Sequence, residues 1–185
     1  TALGFVSNYE VLLKNFNADS KKSATYKNKS ESSLQTIFNY EMKYPLQKVR
    51  ENFLSTLTPI ISARYSPNQS KNKSRDNRII DLNNIFSLNR IGFSDTVEGG
   101  QSITIGNEYT LYNNKPNNNN RILTVNLATV IRDIENDKLP INSTLGKKNS
   151  DIFGNIDFSA NKFIDFDYNF SLDSNLETLN LHQIK

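Results

Sequence analysis

A chain of 185 residues with no cysteine carries neither disulfides nor thiolate metal sites, and its length suits one domain or a piece of a larger one. A net charge of +3 and a pI near 9.0 are too mild to argue for nucleic acid, since no basic run is interleaved with aromatics. Hydrophobic residues make up 36%, yet no stretch approaches the roughly 20 continuous apolar residues of a membrane helix, so the chain stays out of membranes or crosses one as strands.

Alternation begins at once. From Leu3 to Phe16, Phe5, Tyr9, Val11 and Leu13 fall on one face and Asn8, Glu10 and Lys14 on the other. The first residues lack a cationic segment followed by an apolar core and a cleavage site. They do not read as a signal peptide, and the expectation is a mature chain or a fragment. Asn17 to Ser33 is polar and low in complexity and reads as a solvated loop. Leu34 to Leu46 resumes the pattern, with Phe38, Tyr40, Met42, Tyr44 and Leu46 opposing Gln35, Asn39, Glu41 and Lys43. Gln47 to Asn52 reads as a short turn or a single helical turn. Phe53 to Ser66 is a third strand, and Pro59 inside it lacks a ladder donor, which suggests an edge, a bulge or a later start.

The longest connection runs from Pro67 to Gly100. Loops beyond about 12–15 residues are usually functional or disordered. Its first half, Asn68 to Arg78, is almost wholly polar and is expected to be mobile. Its second half carries Ile85, Phe86, Leu88, Ile91 and Phe93 as anchors, with the charges of Arg90, Asp95 and Glu98 between them. The bland alternative is that these charges are solvated and the apolar residues begin the next strand.

Strand four is Gln101 to Tyr112, with Ile103, Ile105, Tyr109 and Leu111 opposite Thr104, Gly106, Glu108 and Thr110. The run NNKPNNNN makes a turn, and Arg121 to Arg132 is strand five. Asp133 to Asn149 reads as a polar loop, and Ser150 to Ala160 as strand six. Phe163 to Leu172 alternates most clearly, Ile164, Phe166, Tyr168, Phe170 and Leu172 against Asp165, Asp167, Asn169 and Ser171. A turn at Asp173-Ser174-Asn175 leads to a last strand, Leu176 to Ile184. The expected fold is all-β, an antiparallel meander of about eight amphipathic strands across residues 1–185. Strands of about ten residues tilted near 45° rise about 23 Å, close to the height of the apolar band of an outer-membrane barrel, so a transmembrane β-barrel is expected, and the family resemblance given below makes it part of a large one.

Candidate chemistry is sparse. Asp165, Asp167 and Asn169 resemble the start of a calcium loop, but Phe170 stands at the required glycine and Leu176 at the terminal acid. They read instead as lining of a wet barrel lumen. The single histidine, His182, permits no multi-histidine zinc site and reads as a lumen or interface residue. Gly99-Gly100 precedes a strand without a phosphate-cradling pattern and reads as a turn or bulge. The Asn-x-Ser/Thr triplets at Asn28 and Asn142 arise by chance in so asparagine-rich a chain. No catalytic constellation, metal site or cofactor motif is found, so an enzyme is not expected.

The long connection also carries a resemblance. Phe86-Ser87-Leu88-Asn89-Arg90, then Asp95, then Glu98-Gly99-Gly100 and the strand through Gly106 resemble the barrel domain of the LptD family, the lipopolysaccharide-assembly protein also called organic solvent tolerance protein. Flanking pieces agree in order: Pro59 and Tyr65-Ser66-Pro67-Asn68 before, then Leu139-Pro140, Leu145-Gly146, Ser150-Asp151-Ile152 and Gly154 after. Two positions depart: Thr96 stands where the pattern has Arg, and Gly92 lies one position before the usual glycine.

The resemblance implies a very large outer-membrane barrel that passes lipopolysaccharide through a lateral opening. It implies a preceding periplasmic domain that receives lipopolysaccharide and, as partners, lipopolysaccharide itself, the lipoprotein plug LptE, an LptA-like periplasmic bridge and outer-membrane lipid. On that reading this chain is an internal run of strands without the periplasmic domain or the closing strands. Arg90, Asp95, Glu98, Gly99 and Gly100 become loop or gate contacts, and Asp165, Asp167 and Asn169 the lumen lining. The alternatives are a general porin or receptor barrel and a soluble glycan-binding β-sandwich.

Overall fold

The computed structural model describes residues 4–22, 30–113, 120–161 and 164–184. Nine strands form one antiparallel sheet: β1 (Val6–Asp19), β2 (Ser30–Lys43), β3 (Leu46–Val49), β4 (Phe53–Ser66), β5 (Gly100–Asn113), β6 (Arg121–Arg132), β7 (Ile152–Asn161), β8 (Ile164–Leu172) and β9 (Leu179–Ile184). They run in the order β1-β2-β4-β5-β6-β7-β8-β9, with β3 also against β4. The sheet is open, and β1 and β9 are its two edges. Among the described residues the helical element is one 3-10 turn, Ile141–Ser143, and no helix is long and apolar enough to cross a membrane.

β3 corrects the expectation of a turn at Gln47 to Asn52. Lys43 pairs with Ile60 and Leu46 with Leu57, so β2 and β3 keep one register and are a single strand interrupted at Tyr44-Pro45. The interruption faces Thr58-Pro59 across the ladder. Two prolines without N–H donors meet there, and only the Tyr44 N–H crosses, to the Pro59 carbonyl at 3.1 Å. Pro59 therefore sits inside β4 rather than at its edge. The turn is tighter than expected, closed between Arg50 and Phe53.

The Asn17–Ser33 loop is also shorter than expected. Polar residues continue the β1–β2 ladder to Asp19 and Ser30, with the Ser32 hydroxyl donating to the Asn17 side chain at 2.7 Å. Polar side chains that satisfy each other across strands extend a ladder as well as apolar ones do. Positions 23–29, including Asn28, and 114–119 of the NNKPNNNN turn lie outside the described residues. The last strand begins at Leu179 because Leu176 adopts a left-handed φ of 64° within the preceding turn.

Alternation sorts the side chains into two unlike faces. One face is apolar and bare: Phe38, Ile61, Tyr65, Ile103, Ile105 and Phe166 are all exposed, in central strands as well as at the edges. Aromatic pairs line it, Phe38 with Tyr65 at 6.3 Å and Tyr168 with Phe170 at 5.5 Å between centroids. The other face is polar, and it is the covered one. Gln35, Asn39, Ser62, Arg64, Ser102, Thr104 and Arg132 are buried there.

The connections after β1, β4, β6 and β8 share one end of the sheet, and two of them, 67–99 and 133–151, are the longest. Both fold back over the polar face. Ile80, Ile85 and Ile91 from the first and Leu139 and Leu145 from the second pack with Ala128, Val130 and Phe153 into the buried cluster. The hydrophobic core thus lies between loops and the polar face, while the strands' own apolar residues face outward.

Candidate functional site

Gly92 (φ +72°) turns the long loop as no β-carbon residue readily could, and Gly100 (φ +88°) turns it into β5. Between these turns the loop holds Arg90 and Glu98 over the start of β5. The Arg90 guanidinium is fully buried and grips both Glu98 oxygens, Nε to Oε2 and Nη2 to Oε1, each at 2.6 Å. Its remaining donors reach the Thr104 and Ser102 hydroxyls at 2.9 Å each and the Ile85 carbonyl at 3.4 Å. A bidentate guanidinium–carboxylate pair of this kind fixes orientation as well as distance.

Two strand arginines complete the cluster. Arg132, the last residue of β6, pairs with Glu98 and donates to the Gly99 carbonyl at 2.8 Å and the Leu145 carbonyl at 3.0 Å. Arg64, on β4, donates to the Leu88 carbonyl and, at 2.5 Å, to the Ser87 carbonyl. Loop, sheet and the 133–151 connection are thereby fastened at one point. Close by, the Phe86 ring lies over Gly106, where a β-carbon would sit 2.6 Å from it. Glycine at that strand position leaves the space the loop fills.

Asp95 lies apart from this cluster. It pairs with Lys73 at 3.1 Å, and its carbonyl accepts from the Gln35 side chain at 3.1 Å. Lys73 also stands 5.1 Å from the Phe93 ring centroid. Burial disfavours the Lys73 charge, but Asp95 and Asp76 outweigh it and raise its pKa.

A family model described as LPS transport system D matches residues 6–185. The chain belongs to the LptD family. No curated protein matches it. Membership places it in lipopolysaccharide transport and outer-membrane biogenesis, the work of a transport and assembly family.

In this LptD-family chain the five loop residues singled out from sequence converge only in part. Arg90, Glu98 and Gly99 meet in the cluster, Gly100 is its hinge, and Asp95 serves a second anchor. Thr96 is buried and accepts the Lys71 N–H at 2.8 Å. Asp165, Asp167 and Asn169 share the polar face but bond to β7 and to one another: Ser159 to Asp165 at 2.6 Å, and the Asn155 amide to Asp167 at 3.1 Å and Asn169 at 3.2 Å. His182 pairs with Phe170 in the register, which puts it on the apolar face rather than the polar one.

Sequence reading missed Arg64, Arg132 and the 133–151 connection. It also expected Asn68 to Arg78 to be free, whereas that half is tied down. Asn68 bridges the Thr36 N–H (2.7 Å) and the Leu34 carbonyl (3.0 Å), Ser70 accepts the Gly99 N–H (2.9 Å), and the Lys73 N–H reaches the Lys138 carbonyl (2.7 Å).

Burial alone would raise the Glu98 pKa, but the Arg90 charge and hydrogen bonds, with the Arg64 and Arg132 charges, hold it at about 2. A carboxylate depressed below its ordinary 4.5 contributes stability that is fully present above that value and is lost as pH falls through about 2. The loop is therefore expected to resist pepsin at pH 4 and to become cleavable within 67–99 as pH approaches 2. Full cleavage already at pH 4 would remove Glu98 as the latch.

Proposed function

We propose that this chain is a section of the wall of a large outer-membrane β-barrel through which lipopolysaccharide passes, and that its 67–99 loop seals the lumen beneath it. One observation carries the reading. The sheet leaves its apolar face bare across all its strands while arginines, glutamate and amides are buried on the other, the arrangement of a barrel wall between lipid and lumen. A soluble sandwich would pack those apolar faces together and put the polar ones in water. The long connections gather at one end, which by the habit of such barrels is the outer side. Asp165, Asp167 and Asn169 then line the lumen. LptE as the plug, an LptA-like bridge and the surrounding lipid are the partners the family reading supplies.

Deleting Ile85 to Thr96 in the full-length protein tests it. The barrel is expected to assemble and to export lipopolysaccharide, while cells become permeable to large antibiotics. Normal export with unchanged permeability would overturn the sealing role, and normal lipopolysaccharide at the surface of cells lacking the protein would favour a general porin.

A further inference from the structure

The buried cluster holds more positive charge than a latch needs. Arg90 and Arg132 both pair with one carboxylate, Glu98, while Arg64 beside them is bonded to the Ser87 and Leu88 carbonyls, and all four residues are at most 4% exposed. Arg90 and Glu98 ride on the loop and satisfy each other. Arg64 and Arg132 belong to the wall, and apart from the Leu145 carbonyl of the 133–151 connection their partners in this state lie on the loop: the carbonyls of Ser87, Leu88 and Gly99, and Glu98 itself. The Arg64 Nε is buried with no partner. Burying unbalanced charge is costly, and adhesion alone would be served by neutral residues.

The register shows what the wall offers without the loop. Glu10, Asn39, Arg64, Ser102 and Arg132 lie directly opposite one another in turn across β1, β2, β4, β5 and β6. Glu10 is taken up by the Asn39 amide at 3.0 Å, so it leaves Arg64 without a carboxylate in hydrogen-bonding contact. With neighbouring strands about 4.8 Å apart, Arg64 and Arg132 stand about 10 Å from each other on either side of Ser102. Ser62 and Thr104 supply hydroxyls beside them on the same face. Two guanidiniums with hydroxyls between them match phosphate oxygens, which accept the same forked donation a carboxylate does.

We propose that Arg64 and Arg132 form a latent phosphate-binding pair on the lumen wall, masked by the loop, that engages the phosphate groups of lipopolysaccharide when the loop lifts. Glu98 and the loop carbonyls occupy the positions the phosphates take, so loop and cargo compete for the same donors. The inference rests on the transport reading above and specifies how the cargo is held.

The test compares binding of lipopolysaccharide with binding of the same material after chemical removal of its phosphates, using the full-length protein with its partners in detergent. Wild type should prefer the phosphorylated form. Arg64→Met with Arg132→Met should lose roughly tenfold to a hundredfold on that form and little on the other, while Arg64→Lys with Arg132→Lys keeps part of the preference. Glu98→Gln, which weakens the mask without touching the wall, should tighten binding of the phosphorylated form and serves if the methionine variant fails to fold. Equal binding of both forms by wild type, or equal loss on both in the methionine variant, overturns the pair while leaving the transport reading intact. Binding of neither form overturns both.

Discussion

Arginine at Ile105 is expected to destabilise the lipid-embedded protein by about 2–4 kcal/mol, whereas arginine at Gln101, nearer the loop end of the same strand, should cost about 0–1 kcal/mol. Both side chains point outward on β5, and both positions are exposed. They differ in depth. Ile105 stands between Ile61 and Thr129 in the interior of the sheet, whereas Gln101 lies one residue from the strand's start. A charge at the deeper site must be dehydrated by the hydrocarbon or drag water in, while at the rim it reaches the headgroups. Urea titrations of the full-length protein folded into lipid vesicles would read the difference. Equal costs at the two positions would mean that depth does not matter and that the apolar face meets protein instead of lipid.

That face was the most legible part of the sequence. Phe53–Ser66 and Arg121–Arg132 are strands over the very ranges alternation predicts, because in a sheet with one apolar face and one covered polar face the period of two is enforced at every residue. β3 escaped because four residues that follow a proline carry too little alternation, and only pairing across to β4 defines it. The loop's architecture was half legible. Ile85, Phe86 and Ile91 announced that something would pack, and they do; what they pack against, Leu139 and Leu145 in a stretch that reads as polar loop, has no local signal.

Arg64 and Arg132 were hidden for another reason. Each sits at the polar phase of its strand, where any charge looks solvated. Their importance arises from Ser102, which brings them into one row although they are 68 positions apart in the chain. A charged residue at the loop end of two strands with otherwise small polar neighbours is the nearest thing to a signal the sequence contains.

The largest effect is expected from Glu98→Gln, and it should exceed that of Arg90→Met. Removing the carboxylate leaves three buried guanidiniums facing carbonyls and hydroxyls alone, and an uncompensated buried charge costs about 3–5 kcal/mol. Removing Arg90 instead leaves Glu98 paired with Arg132 and takes a donor from one carboxylate oxygen, the Ser102 and Thr104 hydroxyls and the Ile85 carbonyl, a loss of about 1–3 kcal/mol. Trypsin reads the difference through Lys73, Arg75 and Arg78, since cleavage follows the population of the open loop when opening is fast. Glu98→Gln should raise the rate by roughly a hundredfold or more, and Arg90→Met by less. The double replacement Arg90→Met with Glu98→Leu separates two accounts of the cluster. If Arg90 and Glu98 were a self-contained pair, an apolar substitute should restore protection, as it does for many buried ion pairs. Because Arg132 would then lack its carboxylate partner and Arg64 has none to share with it, recovery should stay incomplete. Full protection in the double variant would mean that the wall arginines need no anion at all.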